Sequence, residues 1–137
     1  MPSAQQLLHK LRKIACALPG VEEQPWYAHA VFKVRNKTFL NFMNDHHGDG
    51  RIAIWAKAAP GVQAELVALD PDVFFVPPYM GPSGWIGVRL DRKRTDWGQV
   101  KQLVTDAWQL QAPKRLKTAS PERPQRRAGA KPRATRR

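Results

Sequence analysis

The segment Asp45-His46-His47-Gly48-Asp49 gathers two imidazoles and two carboxylates within five residues, enough donor atoms to bind a metal. Its spacing argues otherwise. Adjacent histidines point apart on an extended chain, and the run matches no established zinc-ligand pattern. With Asn44 and Gly50 around it, the segment reads as a polar turn. Cys16 has His9 and Arg12 near it on a helix, and nearby cations favour a thiolate. Its place near a helix C-terminus opposes that effect, because the helix dipole is negative there. The glycines of Gly81-Pro82-Ser83-Gly84-Trp85-Ile86-Gly87 lack the Lys-Ser/Thr pair of a phosphate loop and lead into a strand, not a helix. No Ser/His/Asp grouping follows a nucleophile motif. The expectation is a protein that binds and does not catalyse, with no metal and no cofactor.

The residue types that do point to a chemistry are cations interleaved with tryptophan. Strand alternation sends successive side chains to opposite faces. One face collects Phe32, Val34, Ile52, Ile54, Ile86, Val88 and Leu90, which are uniformly apolar and belong under helices. The other collects Lys33, Arg35, Arg51, Trp55, Lys57, Trp85 and Arg89. Open sheets use aromatic platforms among Lys and Arg to stack bases and neutralise phosphates; the competing reading is that the tail, a loop or another subunit covers the two Trp. The turn Arg35-Asn36-Lys37 makes a basic hairpin tip able to reach phosphates. Tyr79–Gly84 carries no charge and is either a second wing, able to wedge or stack but not to neutralise phosphate, or a rigid Pro/Gly loop. Arg92-Lys93-Arg94 adds a compact cationic patch.

These residues need a scaffold. Leu7, Leu11, Ile14 and Leu18 recur at helical spacing after Ser3, a plausible N-cap, and Pro19-Gly20 ends that helix. Strands are expected around Val21–Tyr27 and His29–Arg35, either as two separate strands or, the preferred reading, loosely continuous over residues 22–35, then over Thr38–Met43 and Arg51–Lys57. Pro60 suits the first turn of a second helix with Val62, Leu66 and Leu69 inward, stopped by Asp70-Pro71. Val73–Val76 and Trp85–Leu90 read as strands. Asp96 and Gln99 form a loose capping box for a last helix to about Leu110, with Trp97, Val100, Val104, Ala107 and Trp108 buried. The order predicts a two-layer α+β domain, α-β(3)-α-β(2)-α, with an antiparallel sheet over residues 1–117.

The segments Leu18-Pro19-Gly20-Val21-Glu22-Glu23, Phe39-Leu40, Ile54-Trp55-Ala56-Lys57-Ala58, Pro77-Pro78-Tyr79-Met80-Gly81, Gly84-Trp85-Ile86-Gly87-Val88-Arg89-Leu90-Asp91 and Asp96-Trp97 occur in that order. Together they resemble the MmcQ/YjbR family of small bacterial proteins, over roughly residues 5–116. The resemblance implies the same α-β(3)-α-β(2)-α fold. Members of the family are commonly labelled DNA-binding, by analogy with a double-wing arrangement of hairpins. It supplies no agreed catalytic or metal-binding residue.

Charge separates the chain into two parts. Of a net +12, residues 1–112 hold 13 Lys/Arg against 10 Asp/Glu, or +3, and residues 113–137 hold 10 against 1, or +9. Residues 118–137 contain no Leu, Ile, Val, Phe, Trp or Tyr and have seven cations: Arg123, Arg126, Arg127, Lys131, Arg133, Arg136 and Arg137. Such a segment cannot offset the entropy of ordering, so a disordered basic tail is expected. The partner expected is nucleic acid, DNA above all, bound by charge with low sequence specificity. The competing expectation is a protein-interaction or chaperone-like module whose open sheet face serves a homodimer or another protein. A single cysteine, an N-terminal Met-Pro-Ser-Ala-Gln-Gln without an apolar core, and the lack of a long apolar run point to the cytoplasm and away from a membrane.

Overall fold

The computed structural model describes residues 2–118. Ser3 opens the first helix, α1 (Ala4–Ala15), with a complete capping box: its hydroxyl accepts from the Gln6 N–H at 3.1 Å, and its own N–H donates to Gln6 Oε1 at 2.8 Å. Leu7, Leu11 and Ala15 form the buried stripe, and Leu18 continues it beyond the last turn.

Four strands follow where three were expected: β1 (Val21–Trp26), β2 (His29–Val34), β3 (Lys37–Asn44) and β4 (Ile52–Ala56). Residues 21–35 are not one bent strand. Trp26 pairs with His29 across the two-residue turn Tyr27-Ala28, and Tyr27 takes the left-handed conformation at φ 56°. Pro25 conceals this hairpin in the sequence. It is tolerated because β1 is an edge strand, where a missing N–H breaks no central ladder.

Helix α2 (Val62–Leu69) begins after Gly61, so Pro60 stands in the preceding turn and not in the helix. Its inner side is Val62, Gln63, Leu66 and Val67. Leu69, expected on that side, lies at its margin in the final turn and is 72% exposed. Strands β5 (Phe74–Phe75) and β6 (Ile86–Arg89) complete a six-stranded antiparallel sheet in the order β1-β2-β3-β4-β6-β5. Asp96 accepts from the Gln99 N–H at 3.1 Å and starts α3 (Trp97–Gln111). A short helix, α4 (Lys114–Thr118), comes last and runs one residue past the expected domain boundary.

The helices lie on one side of the sheet, giving the two layers expected of an α+β domain. Phe32, Val34, Ile54, Ile86, Val88 and Leu90 are buried there as alternation predicts, with Ile52 at the border. Two neighbours on β3, Phe39 and Leu40, are both buried, which alternation forbids. A bulge explains it: Phe32 pairs with Leu40 and Lys33 with Thr38, leaving Phe39 as the extra residue. Trp108 of α3 is fully enclosed, and its indole N–H donates to the Pro19 carbonyl at 2.9 Å, so the largest core side chain leaves no polar atom unmet. No described helix is long and apolar enough to cross a membrane.

Candidate nucleic-acid interface

The tip between β2 and β3 is built by its own backbone. Val34 pairs with Lys37, and the two residues between, Arg35 and Asn36, have φ of 50° and 67°. Positive φ at both central positions is the type I′ pattern that matches strand twist. Arg35, Asn36 and Lys37 are all exposed, so both cationic side chains reach solvent.

The C-terminal end of the described chain is anchored beside this tip. Gln111 donates its side-chain amide to the Thr38 carbonyl at 3.0 Å. Leu116 of α4 covers Gly20. A side-chain carbon added at Gly20 would lie 2.8 Å from Leu116 Cδ1 and 3.6 Å from a methyl of Val34, the residue preceding Arg35. Gly20 also has φ +74°, so glycine is favoured there on both counts. Lys114 and Arg115 on α4 are exposed at the same end of the molecule. The seven tail cations expected to contact nucleic acid, Arg123 to Arg137, lie outside the described residues, as does the expected disorder of that tail.

The face of the sheet away from the main helices is divided. Over β4, β5 and β6, Trp55 and Trp85 occupy the face that alternation gives them, yet each is only 5% exposed. They form a second small core with Met43, against which Phe75 and Met80 pack. The expected pair of open platforms is therefore corrected: both rings are covered. Part of the cover is the loop expected as a second wing. It turns back on itself, with the Ser83 N–H donating to Met80 O and the Gly84 N–H to Gly81 O. Gln63 of α2 fastens it by donating to Gly81 O at 3.1 Å and Trp85 O at 2.6 Å. Tyr79, at 90% exposure, stands out from it, and Pro82 and Ser83 are exposed as well.

The cations of this half are engaged locally. The Arg51 guanidinium lies 4.2 Å from the Phe75 ring centroid. Arg89 forms a two-pronged contact with Asp91, Nε to Oδ1 at 3.0 Å and Nη2 to Oδ2 at 3.1 Å. Burial alone would raise the Asp91 pKa. The Arg89 fork and the Ile52 N–H outweigh it and hold the carboxyl below the usual range, while the same fork raises Arg89. Lys57 lines a cleft of about 270 Å³ with Leu103, Asp106 and Leu110 of α3, on the helical side, and so leaves the expected group. Arg92 pairs with Asp72 at 3.0 Å, and Arg92 and Arg94 border a second cleft at the start of α3. Lys93 is exposed nearby. Residues 92–94 lie at the opposite end of the sheet from the Arg35–Lys37 tip, with Arg92 engaged by Asp72.

Over β1, β2 and the adjoining part of β3, no described residue covers the face of Gln24, Val31, Lys33 and Asn41 apart from Met80 at one side. A groove of about 420 Å³ runs there, lined by Gln24 and Trp26 of β1, Val31 and Lys33 of β2, Asn41 of β3, and Met80 at its inner wall. Lys33 is the expected site residue that opens into it. Trp26, 46% exposed, was not foreseen: the sequence Val-Glu-Glu-Gln-Pro-Trp has too little alternation to assign a face, and a tryptophan next to an edge-strand proline was the available signal.

The histidine segment forms a 3₁₀ turn, His46–Gly48, at the end of this face. Its carboxylates serve the backbone: Asp45 Oδ1 accepts from the Gly50 N–H at 2.7 Å, and Asp49 Oδ1 from the Arg51 N–H at 2.9 Å. His46 lies edge-on against Trp55, ring centroids 5.0 Å apart, and near His29 at 5.6 Å. His29 Nδ1 accepts from the Asn44 N–H at 3.0 Å. Burial lowers the pKa of both His29 and His46, and neighbouring histidines add to the effect. Among the described residues no group of three His, Cys, Asp or Glu is placed to hold a metal. Cys16 is the exposed C-cap of α1, and burial followed by Glu23 raises its thiol pKa against the opposing pull of Arg12, so it is not activated.

Comparison with known proteins bears on this fold. A family model described as YjbR matches residues 16–110. A crystal structure of Deinococcus radiodurans protein DR2400, described with the domain DUF419, is 21% identical, with 80% of this chain and 81% of that chain covered and a TM-score of 0.64. At that identity the likeness concerns the fold alone. No curated protein matches the sequence.

Proposed function

This chain belongs to the YjbR family, to which no catalytic activity is attached, and within it we propose that this member binds nucleic acid, DNA foremost, by charge and without chemistry on its ligand. The observation that carries the proposal is the seating of α4 beside the β2–β3 tip. It brings Arg35 and Lys37 to the same end as Lys114 and Arg115, and the most basic stretch of sequence, +9 over residues 113–137, starts from there. Tip and tail then act as one cationic surface and not as two separate features. The paired cations Arg89 and Arg92 have carboxylates of their own and contribute less.

Binding of this kind releases counterions, so affinity falls steeply with salt. If the seven cations beyond residue 118 all neutralise phosphates, they account for a slope of about −6 in log K against log salt on duplex DNA. The test compares the full chain with a chain ending at residue 118. The expected result is loss of most of the slope on truncation, with a smaller loss of about 2 for Arg35→Ser combined with Lys37→Ser in the full chain. An unchanged slope after truncation would reject the tail as the anchor. No measurable binding of the full chain at low salt would reject the function.

A further inference from the structure

The groove over β1, β2 and β3 presents three kinds of surface that do not ordinarily share one partner. The first is aromatic. Trp26 is half exposed, its position fixed against His29 at 5.3 Å between centroids, and Tyr27 beside it is 91% exposed. The second is a row of neutral hydrogen-bonding groups. Gln24, Val31 and Asn41 are direct neighbours across the three strands, and neither Gln24 nor Asn41 spends its side-chain amide on another described residue. Each amide offers donors and an acceptor together. The third is positive charge. Lys33 lies in the groove, and Thr38, which also lines it, directly follows the exposed Arg35–Lys37 tip. Glu22 stands across from Lys33 in the ladder but forms no ion pair with it.

An apolar partner seated here would bury Lys33 and two unmet amides, which is costly. A simple polyanion would use Lys33 and leave Trp26 and Val31 without purpose. A duplex offers phosphates and, within its grooves, base edges, but it keeps its base faces stacked inside and so leaves Trp26 without a stacking partner. The ligand that matches all three surfaces has flat aromatic faces, edges with mixed donors and acceptors, and an anionic backbone.

We infer that the groove takes a short unpaired stretch of nucleic acid, with a base stacked on Trp26, base edges meeting Gln24 and Asn41, and the backbone phosphate at Lys33. The inference rests on the nucleic-acid reading above and assigns the groove a job distinct from that of the tail. The tail and tip hold any nucleic acid by charge, whereas the groove distinguishes unpaired from paired strands. Base stacking on aromatic side chains tolerates all four bases, so the preference concerns strandedness and not sequence.

The test uses the full chain and fluorescence anisotropy with short oligo(dT), oligo(rU) and a mixed-sequence duplex of equal length, all at about 0.1 M salt. Trp26→Ala is expected to weaken binding of the unpaired oligonucleotides roughly 5- to 150-fold. Duplex binding should stay within about twofold, since phosphate contacts are untouched. Trp26→Phe should recover most of the loss because it restores a stacking face. The double variant Gln24→Ala, Asn41→Ala probes the groove without altering the aromatic side, and is expected to act in the same direction on unpaired strands alone. Equal losses on all three ligands, or no loss on any, would overturn the inference while leaving the electrostatic reading intact. Failure of the full chain to bind any of the three would overturn both. A dimer by light scattering that Trp26→Ala converts to a monomer, with binding unchanged, would assign the groove to a second copy of the chain and reject a nucleic-acid role for it.

Discussion

The two halves of the helix-free sheet face use the same alternation for opposite ends. Over β4, β5 and β6 the outward side carries Trp55, Phe75 and the adjoining Trp85, and the molecule closes these with its own loop: Trp55 and Trp85 sit with Met43 of β3 beneath Met80 and the turns of residues 77–84, while Arg51 and Arg89 are engaged at the border. Over β1, β2 and β3 the outward residues are Gln24, Val31, Lys33 and Asn41, and nothing of the described chain folds over them. A second, smaller core lets a two-layer domain protect part of its open face while leaving the rest to a partner. Hydrophobic content decides which half is closed.

That contrast can be broken by substitution. Trp55→Ala is expected to cost about 3–5 kcal/mol, the range for removing a buried tryptophan, because the ring is shared by strand, loop and His46. Val31→Ala, the corresponding row position in the open half, should cost about 1 kcal/mol or less, within the spread of strand preferences. Urea unfolding of both variants measures the difference. Equal costs would mean that the open half is also a structural surface and that its groove is incidental.

A smaller effect comes from the histidines at the border between the halves. Burial holds the His29 imidazole below its ordinary pKa, and His46 opposes its protonation further while Asp49 favours it. In the unfolded chain the same group takes a proton as pH falls through about 6.5. The unfolded state therefore binds more protons just below that pH, so the contribution of His29 is complete above it and is lost as pH falls toward the folded value. Protonation on Nδ1 also removes the acceptor used by the Asn44 N–H. The melting temperature should drop between pH 7.5 and pH 5, and His29→Asn, which keeps an acceptor but cannot titrate, should reduce that drop. A profile unchanged by the substitution would assign the pH dependence elsewhere.

Much of this architecture was legible in the residues. Ser3 and Asp96 announced their helices through side chains that can reach an N–H three residues on, and strand alternation correctly sorted Phe32, Val34, Ile54 and Val88 from Lys33, Trp55 and Trp85. Alternation tells the side of a sheet and not what covers that side. For that reason the residues leave Trp55 and Trp85 between open platforms and rings covered by a loop, and leave Tyr79–Gly84 between a wing and a rigid Pro/Gly loop. The first hairpin ranks below a single bent strand in the sequence because Tyr27-Ala28 is an unusual turn pair and Pro25 demotes a strand pattern. The Phe39 bulge was hidden for a related reason: two apolar neighbours fit either a bulge or a buried strand. Lys57 was misassigned because alternation ceases to hold once a strand ends, and β4 stops at Ala56. The adjacency of the chain's described end to the Arg35–Lys37 tip depends on contacts 73 residues apart (Gln111 to Thr38) and 96 apart (Leu116 to Gly20), separations across which no local pattern speaks.

The central claim is that the open half of the sheet face, with the tip at its end, meets the ligand. The most direct measurement is a chemical-shift map of the isotope-labelled full chain titrated with a short unpaired oligonucleotide. The predicted result is perturbation of the backbone amides of Gln24, Lys33, Arg35 and Asn41 and of the Trp26 indole N–H, with the buried Trp55, Trp85 and Trp108 indoles unmoved. Perturbations concentrated on the helical side, around Leu103 and Leu110, with the β1–β3 face silent, would contradict it.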